Sequence, residues 1–207
     1  GKNLPGDSIS VDVDREVPCV ATVSVVAGGF VSTPVQFAID NLPEVTEDEA
    51  ASGKADGQSV ALPVVVNGRI GTAGESDFYR FDGRQGQRVR LEVRARRLGS
   101  PLDSCVILSN SRGERMGEND DVKDRAEGLL THQPDSELTC ELPEDGFYTV
   151  RLFDAQGKGG DEYAYRLKIG QPVPDFALRA TPASLHVARG GSVVWTVTYT
   201  SPGLATD

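Results

Sequence analysis

Acidic residues are the most abundant groups in this sequence that could carry chemistry, and one set of them has a suggestive spacing. The chain has 31 Asp and Glu against 21 Lys and Arg, a formal net charge of −10. Asp103 opens a predicted strand, and Asp135 closes the long loop that begins at Asn119, Asp120 and Asp121. These five residues could therefore converge at one end of a β-sandwich. Stabilisation of turns is the common role of such residues, and a metal site or a ligand contact is the alternative.

The acidic excess also narrows the class of partner. Calcium prefers carboxylate and carbonyl oxygens, so a hard-cation site is compatible with this composition. A nucleic-acid partner is not predicted, because phosphates require a basic surface. A glycosidase needs two acids that face each other across a sugar. The spacing of the acids does not distinguish such a pair from ordinary loop carboxylates.

Nucleophilic catalysis has no recognisable motif here. His132 lies in a predicted loop, and His186 alternates with Leu185 and Val187, which predicts that it faces solvent. A catalytic triad needs a histidine beside a serine or cysteine and a third group that orients it. The sequence has no Gly-x-Ser-x-Gly and no His-Glu-x-x-His motif. We therefore expect no catalytic residue and no enzyme activity.

The three cysteines do not form a zinc motif. Cys19, Cys105 and Cys140 lack Cys-x-x-Cys spacing. Cys140 alternates with Leu138 and Leu142, which predicts that it lies on the buried face of a strand. A disulfide between Cys105 and Cys140 is one possibility. Buried free thiols are the commoner alternative.

Two sets of side chains could contact a ligand at the surface. Trp195 and Tyr199 share one strand face, and Tyr163 and Tyr165 share another. Aromatic residues at a period of two are more often part of a core. The arginine-rich run at 94–97 could contact an anionic polymer, although charge at the end of a strand is more often simply solvated.

The elements that would position these groups are short β-strands. Val89, Leu91 and Val93 alternate with polar residues, which predicts a strand with one buried face. Asn67-Gly68 has the composition of a two-residue hairpin turn. The spacing of the strands predicts an all-β fold, a jelly-roll-like antiparallel β-sandwich. Its predicted strands are Val60–Val66, Phe78–Phe81, Arg88–Arg94, Leu102–Leu108, Leu138–Leu142, Tyr148–Phe153 and Tyr163–Ile169.

The sequence around the sandwich suggests additional strands from partial domains at both ends. Residues 1–41 are expected to be the C-terminal part of a preceding β-domain, with strands at Ser8–Val13, Cys19–Val26 and Val35–Ile39. Residues 42–58 are rich in acids and are predicted to form a linker, and 59–170 to form the sandwich. Residues 171–207 are expected to be a second linker followed by new strands. The longest apolar run is far below the roughly 20 residues that span a bilayer.

Six motifs in the middle of the chain occur in an order that resembles a known family. They are Gly74-x-x-Asp77-Phe78-Tyr79-x-Phe81, Gly86-Gln87-x-x-x-Leu91, Gly99-Ser100-Pro101-Leu102-Asp103, Asn119-Asp120-Asp121, Asp145-Gly146-x-Tyr148 and Tyr163-x-Tyr165-x-Leu167. Over residues 44–170, they resemble the bacterial pre-peptidase C-terminal domain, a jelly-roll-like sandwich appended to secreted peptidases and other exported proteins. The strands of 171–207 resemble the opening hairpin of an immunoglobulin-like domain, so the flanks are interpreted as partial immunoglobulin-like segments.

The resemblance implies one metal site. In collagen-binding relatives, glutamates of the linker fold onto acids of the turn before the aromatic strand, and calcium binds between them. Glu47 and Glu49 match the linker glutamates, and Glu75 and Asp77 match the turn acids. Residues 50–51 are alanines where many relatives have Pro-Asn, which removes a neutral oxygen ligand. The alternative is a solvated acidic linker beside a polar turn.

The resemblance also implies a role and a location. It predicts a non-catalytic accessory module of a secreted, periplasmic or cell-surface multidomain protein, which serves as a spacer, stabiliser or binding platform. One alternative is a calcium-assisted module that binds an extracellular protein or polysaccharide. Another is part of a hydrolase, such as a peptidase, whose catalysis lies elsewhere in the parent chain. The other domains of that parent chain are the expected partners.

Overall fold

A computed structural model describes residues 19–27, 29–50, 57–123, 132–133, 135–172, 177–181 and 186–200. The predicted strand Ser8–Val13 lies outside these ranges, as does Leu185. A single 3-10 turn in the described residues spans Arg96–Leu98. The strands are β1 (Cys19–Val23), β2 (Val26–Ala27), β3 (Phe30–Val31), β4 (Val35–Ile39), β5 (Glu44–Thr46), β6 (Gln58–Ser59), β7 (Val64–Arg69), β8 (Ser76–Gly83), β9 (Arg88–Arg94), β10 (Ser104–Ser109), β11 (Arg115–Asn119), β12 (Val122–Lys123), β13 (His132–Gln133), β14 (Glu137–Glu141), β15 (Gly146–Asp154), β16 (Ala164–Gly170), β17 (Ala177–Thr181) and β18 (Thr196–Thr200).

Two five-stranded sheets form a sandwich. Sheet I has the order β11–β10–β15–β8–β6, and sheet II has the order β14–β9–β16–β7–β5. The edge strands β6 and β5 run parallel to β8 and β7, and the other pairs within both sheets are antiparallel. The chain changes sheet at every step from β5 to β10, stays in sheet I for β11, and changes sheet again at each step from β11 to β14, β15 and β16. The predicted all-β sandwich is thereby confirmed.

Alternate residues of the strands fill the space between the sheets. Val89, Leu91 and Val93 are fully buried, as their alternation with polar residues predicted. The rings of Phe81 and Tyr148 stack in this core with their centroids 5.8 Å apart. Burial of each such side chain contributes about 1.5–3 kcal/mol, so the packing of the two inner faces is the main source of stability.

Strand β7 differs from the sequence prediction. Asn67 and Gly68 do not form a hairpin turn but lie within β7, where Gly68 pairs with Tyr165 of β16. A Cβ atom on Gly68 would lie 2.6 Å from Glu47 Oε2 and 2.6 Å from the Tyr165 ring. Glycine is therefore required by the close approach of two side chains and not by a turn. The strand begins at Val64 because Pro63 has no N–H for the sheet.

The acidic segment 42–58 contributes edge strands to both sheets. Its first part forms β5 on sheet II, and its last residue, Gln58, begins β6 on sheet I. The Gln58 side chain donates a hydrogen bond to the Thr46 carbonyl (3.1 Å) and accepts one from the Asp48 N–H (2.9 Å). This segment therefore brings Glu47 and Glu49 against the sandwich.

Two-stranded antiparallel sheets flank the sandwich in sequence on both sides. On the N-terminal side, β1 pairs with β4, and the predicted strand Val35–Ile39 is confirmed. Asp40, which follows it, lies 3.2 Å from the Lys168 Nζ of β16. On the C-terminal side, β17 pairs with β18. The described ranges contain no helix that is long and apolar enough to cross a membrane.

Candidate functional site

The predicted carboxylates Glu47 and Asp77 meet where β5 passes over the end of β7. Asp77 and Tyr79 point inward from β8 because alternate residues of a strand face the same side. Tyr165, on β16, donates its hydroxyl hydrogen to Asp77 Oδ2 at 2.6 Å, and its oxygen also contacts the Tyr79 hydroxyl. Asp77, Tyr79 and Tyr165 are all buried. A chain of polar groups therefore runs from the core to the linker segment.

Glu47 lies at the outer end of this chain. Its Oε2 accepts a hydrogen bond from the backbone N–H of Arg69 at 2.8 Å, whereas Oε1 is buried and has no hydrogen-bond partner among the described residues. Burial, opposed in part by the Arg69 N–H and reinforced by the negative charge of Asp77, raises the pKa of Glu47 to about 8. Two carboxyl groups this close favour one shared proton or one bound cation.

The tyrosines beside these acids stay neutral. Burial raises the pKa of the Tyr79 hydroxyl well above its ordinary value, although the hydrogen bond with Tyr165 opposes this. Burial, followed by the charges of its neighbours, raises the pKa of Tyr165 in the same direction. Tyr165 therefore acts as a hydrogen-bond donor to Asp77, and Tyr79 as a neutral partner of the Tyr165 hydroxyl, rather than as bases.

The other two acids of the predicted calcium site are engaged with protein groups. Glu49 Oε1 lies 3.1 Å from Arg69 Nη2, and both side chains are about half exposed. Glu75 Oε2 accepts a hydrogen bond from the Thr72 N–H at 2.7 Å, which closes the turn before β8. Within the ranges described, no three His, Cys, Asp or Glu side chains are arranged to hold a metal ion.

The second predicted acidic group is dispersed, and its most buried member is a capping residue. Asp135 Oδ1 accepts hydrogen bonds from the N–H groups of Ala95 (3.0 Å) and Arg96 (2.7 Å). Its Oδ2 accepts a hydrogen bond from Arg97 Nε at 2.7 Å. The 3-10 turn has no cap from the side chain of its own Ala95. Asp135 therefore supplies that cap from a distant part of the chain.

The remaining members of this group contact different partners. Asp103 Oδ2 accepts a hydrogen bond from Gln156 Nε2 at 2.8 Å. Asn119 donates from its side chain to the Asp121 carbonyl at 3.0 Å and accepts from the Glu137 N–H at 2.9 Å. The negative charge of Asp120 helps to raise the pKa of the Cys105 thiol. These contacts hold loops and strand ends.

The cysteines are free thiols, so the disulfide alternative is not formed. Cys105 Sγ lies 3.9 Å from Glu118 Oε1, and Cys140 Sγ lies 3.9 Å from the Met116 carbonyl. Burial, followed by the charges of Glu118 and Asp120, raises the pKa of Cys105 to about 12. A thiol that remains protonated is a poor nucleophile and a poor metal ligand.

The outer face of sheet I has a feature that the sequence analysis did not single out. The Arg80 guanidinium lies 4.8 Å from the centre of the Phe147 ring. The Arg151 guanidinium lies 5.9 Å from the ring centre of Phe78 and 4.6 Å from that of Phe153. The signal that could have revealed it is the period-two alternation of aromatic and arginine residues in β8 and β15.

Comparison with known proteins gives a limited set of similarities. No protein-family model matches the chain. Over 84 residues, or 40% of the chain, it is 33% identical to a probable subtilase-type serine protease of Deinococcus radiodurans. The chain spans about 10% of the length of that relative.

Two solved structures are similar in overall form. One is the pre-peptidase C-terminal domain of a collagenase from Bacillus anthracis, with a TM-score of 0.40 and 14% identity over 63% of this chain and 99% of that chain. The other is CorA, a surface-associated copper-binding protein important in copper acquisition by Methylomicrobium album BG8, with a TM-score of 0.34 and 7% identity over 63% of this chain and 98% of that chain. The first of these structures carries the name of the family that the six motifs resemble.

Proposed function

We propose that this chain is a non-catalytic accessory module of a secreted or cell-envelope multidomain protein, in which it serves as a spacer, stabiliser or binding platform. The observation that carries the proposal is the self-contained sandwich of residues 43–172, whose two inner faces are filled by their own side chains. The similarity of 84 residues to a small part of a protease supports it, because a module that recurs within a longer chain aligns in this way.

The use of the acidic residues also supports an accessory role. Asp135 accepts hydrogen bonds from the Ala95 and Arg96 N–H groups, and Asp154 accepts them from the N–H groups of Asp103 (2.9 Å) and Lys158 (2.8 Å). Carboxylates that hold backbone groups in this way stabilise the fold and have little freedom to act as acids or bases on a substrate.

The proposal is tested with the parent protein and with this chain. We expect the 207-residue chain to hydrolyse none of a panel of chromogenic peptides and glycosides. We expect deletion of residues 43–172 from the parent to leave kcat/KM for a short soluble peptide unchanged and to lower secreted yield, half-life or retention on an insoluble substrate. Hydrolysis by the purified chain, or loss of kcat/KM on deletion, would contradict the accessory role.

A second candidate function is calcium-assisted binding, and one observation favours it. Glu47 Oε1 is buried without a partner in the described structure, beside a second carboxylate. A cation at this point would replace the proton that the raised pKa of Glu47 retains. Calcium takes about 6–8 oxygen ligands, so backbone carbonyls and water would have to complete the set that Glu47 and Asp77 begin, with Glu49 released from Arg69.

Calorimetric titration with calcium tests this candidate. We expect heat of binding and a rise in Tm at millimolar calcium, and we expect Glu47→Gln to remove both. Asp103→Asn, in the other acidic group, is the control and should change neither. If the unaltered chain shows no heat and no rise in Tm, the calcium function is refuted while the accessory role stands.

A further inference from the structure

The outer face of sheet I carries a row of arginine and phenylalanine side chains. Within β8 and β15, inward residues alternate with outward ones, and Phe78, Arg80, Phe147, Arg151 and Phe153 point outward. Phe78 pairs with Arg151, and Arg80 pairs with Thr149. Along the strand direction, the order is therefore Phe147, Arg80, Arg151 and Phe153 in steps of two residues. We call these four residues the arginine–aromatic row.

Among the residues that the structure describes, neither arginine of the row, Arg80 or Arg151, forms a salt bridge, and the buried Arg80 Nε has no acceptor. Arg151 donates from Nε (3.1 Å) and Nη2 (3.0 Å) to the hydroxyl of Ser76. Arginines on the outer face of sheet II, by contrast, pair with carboxylates: Arg90 with Glu137, Arg94 with Glu92, and Arg166 with Glu44.

Stacking on the rings fixes the orientation of these two cations. A guanidinium over a ring is held at about 0.5–1 kcal/mol when exposed, and its edge donors remain directed along the surface. The protein has ten more acids than bases, 31 against 21, yet within the described residues none of its carboxylates forms an ion pair with Arg80 or Arg151. Charge complementarity therefore points to an anionic group supplied from outside the described chain.

The spacing of the row identifies the form of the anion. Arg80 and Arg151 are diagonal neighbours on adjacent antiparallel strands, which places them roughly 7–8 Å apart. Carboxylates at alternate positions of an extended peptide are separated by about 6.8 Å on one face. Phe147, which is 49% exposed, lies two residues beyond Arg80 at one end of the row, and Phe153 lies two residues beyond Arg151 at the other end. Apolar side chains of the peptide would pack against these two rings. Asp82, opposite Phe147, disfavours a third carboxylate at that end.

We propose that the arginine–aromatic row binds an extended acidic peptide segment with carboxylates at positions i and i+2 and apolar side chains at i−2 and i+4. Such a segment would belong to a partner protein. The inference deepens the platform role proposed above and rests on it. Its failure would leave the accessory role standing, because that role is tested separately by hydrolysis and by deletion from the parent.

Binding of a designed probe tests the peptide chemistry. The probe is the capped, fluorescent peptide Val-Thr-Asp-Thr-Asp-Thr-Val, titrated with the 207-residue chain and followed by anisotropy. We expect saturable binding that weakens with added salt. A peptide with Asn for both Asp, and one of identical composition with adjacent Asp residues, should bind much more weakly. Equal binding of all three peptides, or no binding of the first, would overturn the proposal.

Protein variants test the location. Arg80→Gln and Arg151→Gln should each weaken binding of the probe roughly three- to tenfold, and together abolish it. Arg88→Gln, an exposed arginine on the outer face of sheet II, makes the same charge change and should have no effect. Near-ultraviolet circular dichroism checks that each variant is folded. An equal loss in Arg88→Gln would overturn the proposal. So would binding of a sulfated or uronate polysaccharide that requires Arg80 and Arg151 when the peptide does not.

Discussion

Glu47 shows at the level of one residue how burial converts a carboxylate into a pH-sensitive group. Its pKa is raised from 4.5 to about 8, first by burial and then by Asp77. The folded protein therefore binds this proton more tightly than the unfolded chain does, and the protonated form stabilises the fold. In the metal-free chain, this contribution is complete below about pH 4.5 and is lost as the pH rises through about 8.

The raised pKa of Glu47 predicts that the unaltered chain and Glu47→Gln differ in how their free energy of unfolding depends on pH. The free energy of unfolding of the unaltered chain, measured with urea in the presence of a chelator, should fall as the pH rises through this window. Glu47→Gln, which is neutral at every pH, should show a flatter dependence and should be the more stable protein at the alkaline end. Glu49→Gln is the control, because Glu49 is half exposed and paired with Arg69. Identical pH profiles for Glu47→Gln and the unaltered chain would contradict the raised pKa.

Gly68 is a second residue whose role is defined by its surroundings. A methyl group there would meet Glu47 Oε2 and the Tyr165 ring at 2.6 Å. We expect Gly68→Ala to destabilise the fold by about 1–3 kcal/mol, the usual cost of overpacking. Gly71→Ala is the matched control, since its nearest contact would be Glu75 Oε2 at 3.3 Å. Urea unfolding compares the two, and equal losses would show that the contact at Gly68 relaxes freely.

At the level of elements, Asp135 joins the 3-10 turn to the loop before β14. It is 1% exposed and accepts hydrogen bonds from the N–H groups of Ala95, Arg96 and Arg97 and from the Arg97 side chain. Removal of a buried charged acceptor leaves these donors unsatisfied. Asp135→Ala should therefore lower the free energy of unfolding by about 1.5–3 kcal/mol.

A neighbouring acid provides the comparison for this prediction. Asp103 was placed with Asp135 by the sequence, but its side chain accepts one hydrogen bond, from Gln156. Asp103→Ala should change the free energy of unfolding by about 0.5 kcal/mol or less. If the two alanine variants lose the same stability in urea, Asp135 is not the cap that its contacts indicate.

Patterning predicted the long strands because their physical cause is local. Val89, Leu91 and Val93 alternate with polar residues, and a period of two is sufficient to place them on one buried face. The short strands β5, β6 and β11 were not predicted, since two to five residues with mixed polarity extend only when a longer neighbour offers its hydrogen bonds. Asn67-Gly68 was misassigned for a related reason. The side chains that exclude a Cβ at Gly68 come from Glu47 and Tyr165, both distant in sequence.

The candidate sites also combine features that the sequence predicts with features that depend on the fold. Glu47 and Asp77 were paired through the family resemblance, whereas their burial and the unpartnered Oε1 required the fold. The capping role of Asp135 depends on partners about 40 residues away, which no local pattern specifies. The arginine–aromatic row carried a local signal, alternation within β8 and β15, but its meaning depends on the register that sets Phe78 beside Arg151.

At the level of the whole molecule, the segment before the sandwich is part of its stability. Strand β5 pairs with β7, and the Pro43 carbonyl accepts a hydrogen bond from the Val65 N–H at 2.9 Å. Glu44 Oε1 lies 3.0 Å from Arg166 Nη2, and Val45 packs against the core. These contacts lie within the acidic segment that the sequence predicted to be a linker. The boundary of the folding unit is therefore predicted to lie before Pro43 rather than after residue 58.

Two fragments of the chain test this boundary. Residues 43–172 should unfold in one cooperative transition with a Tm close to that of the same sandwich within the 207-residue chain. Residues 57–172 lose β5, the Glu44–Arg166 pair and the cover over Tyr165, and should melt at a clearly lower temperature. Scanning calorimetry measures both, and tyrosine circular dichroism confirms that the core remains ordered. Because the two fragments share every residue of β6 to β16, equal melting temperatures would mean that β5 rests on the sheet without stabilising it. The acidic segment would then be a linker after all.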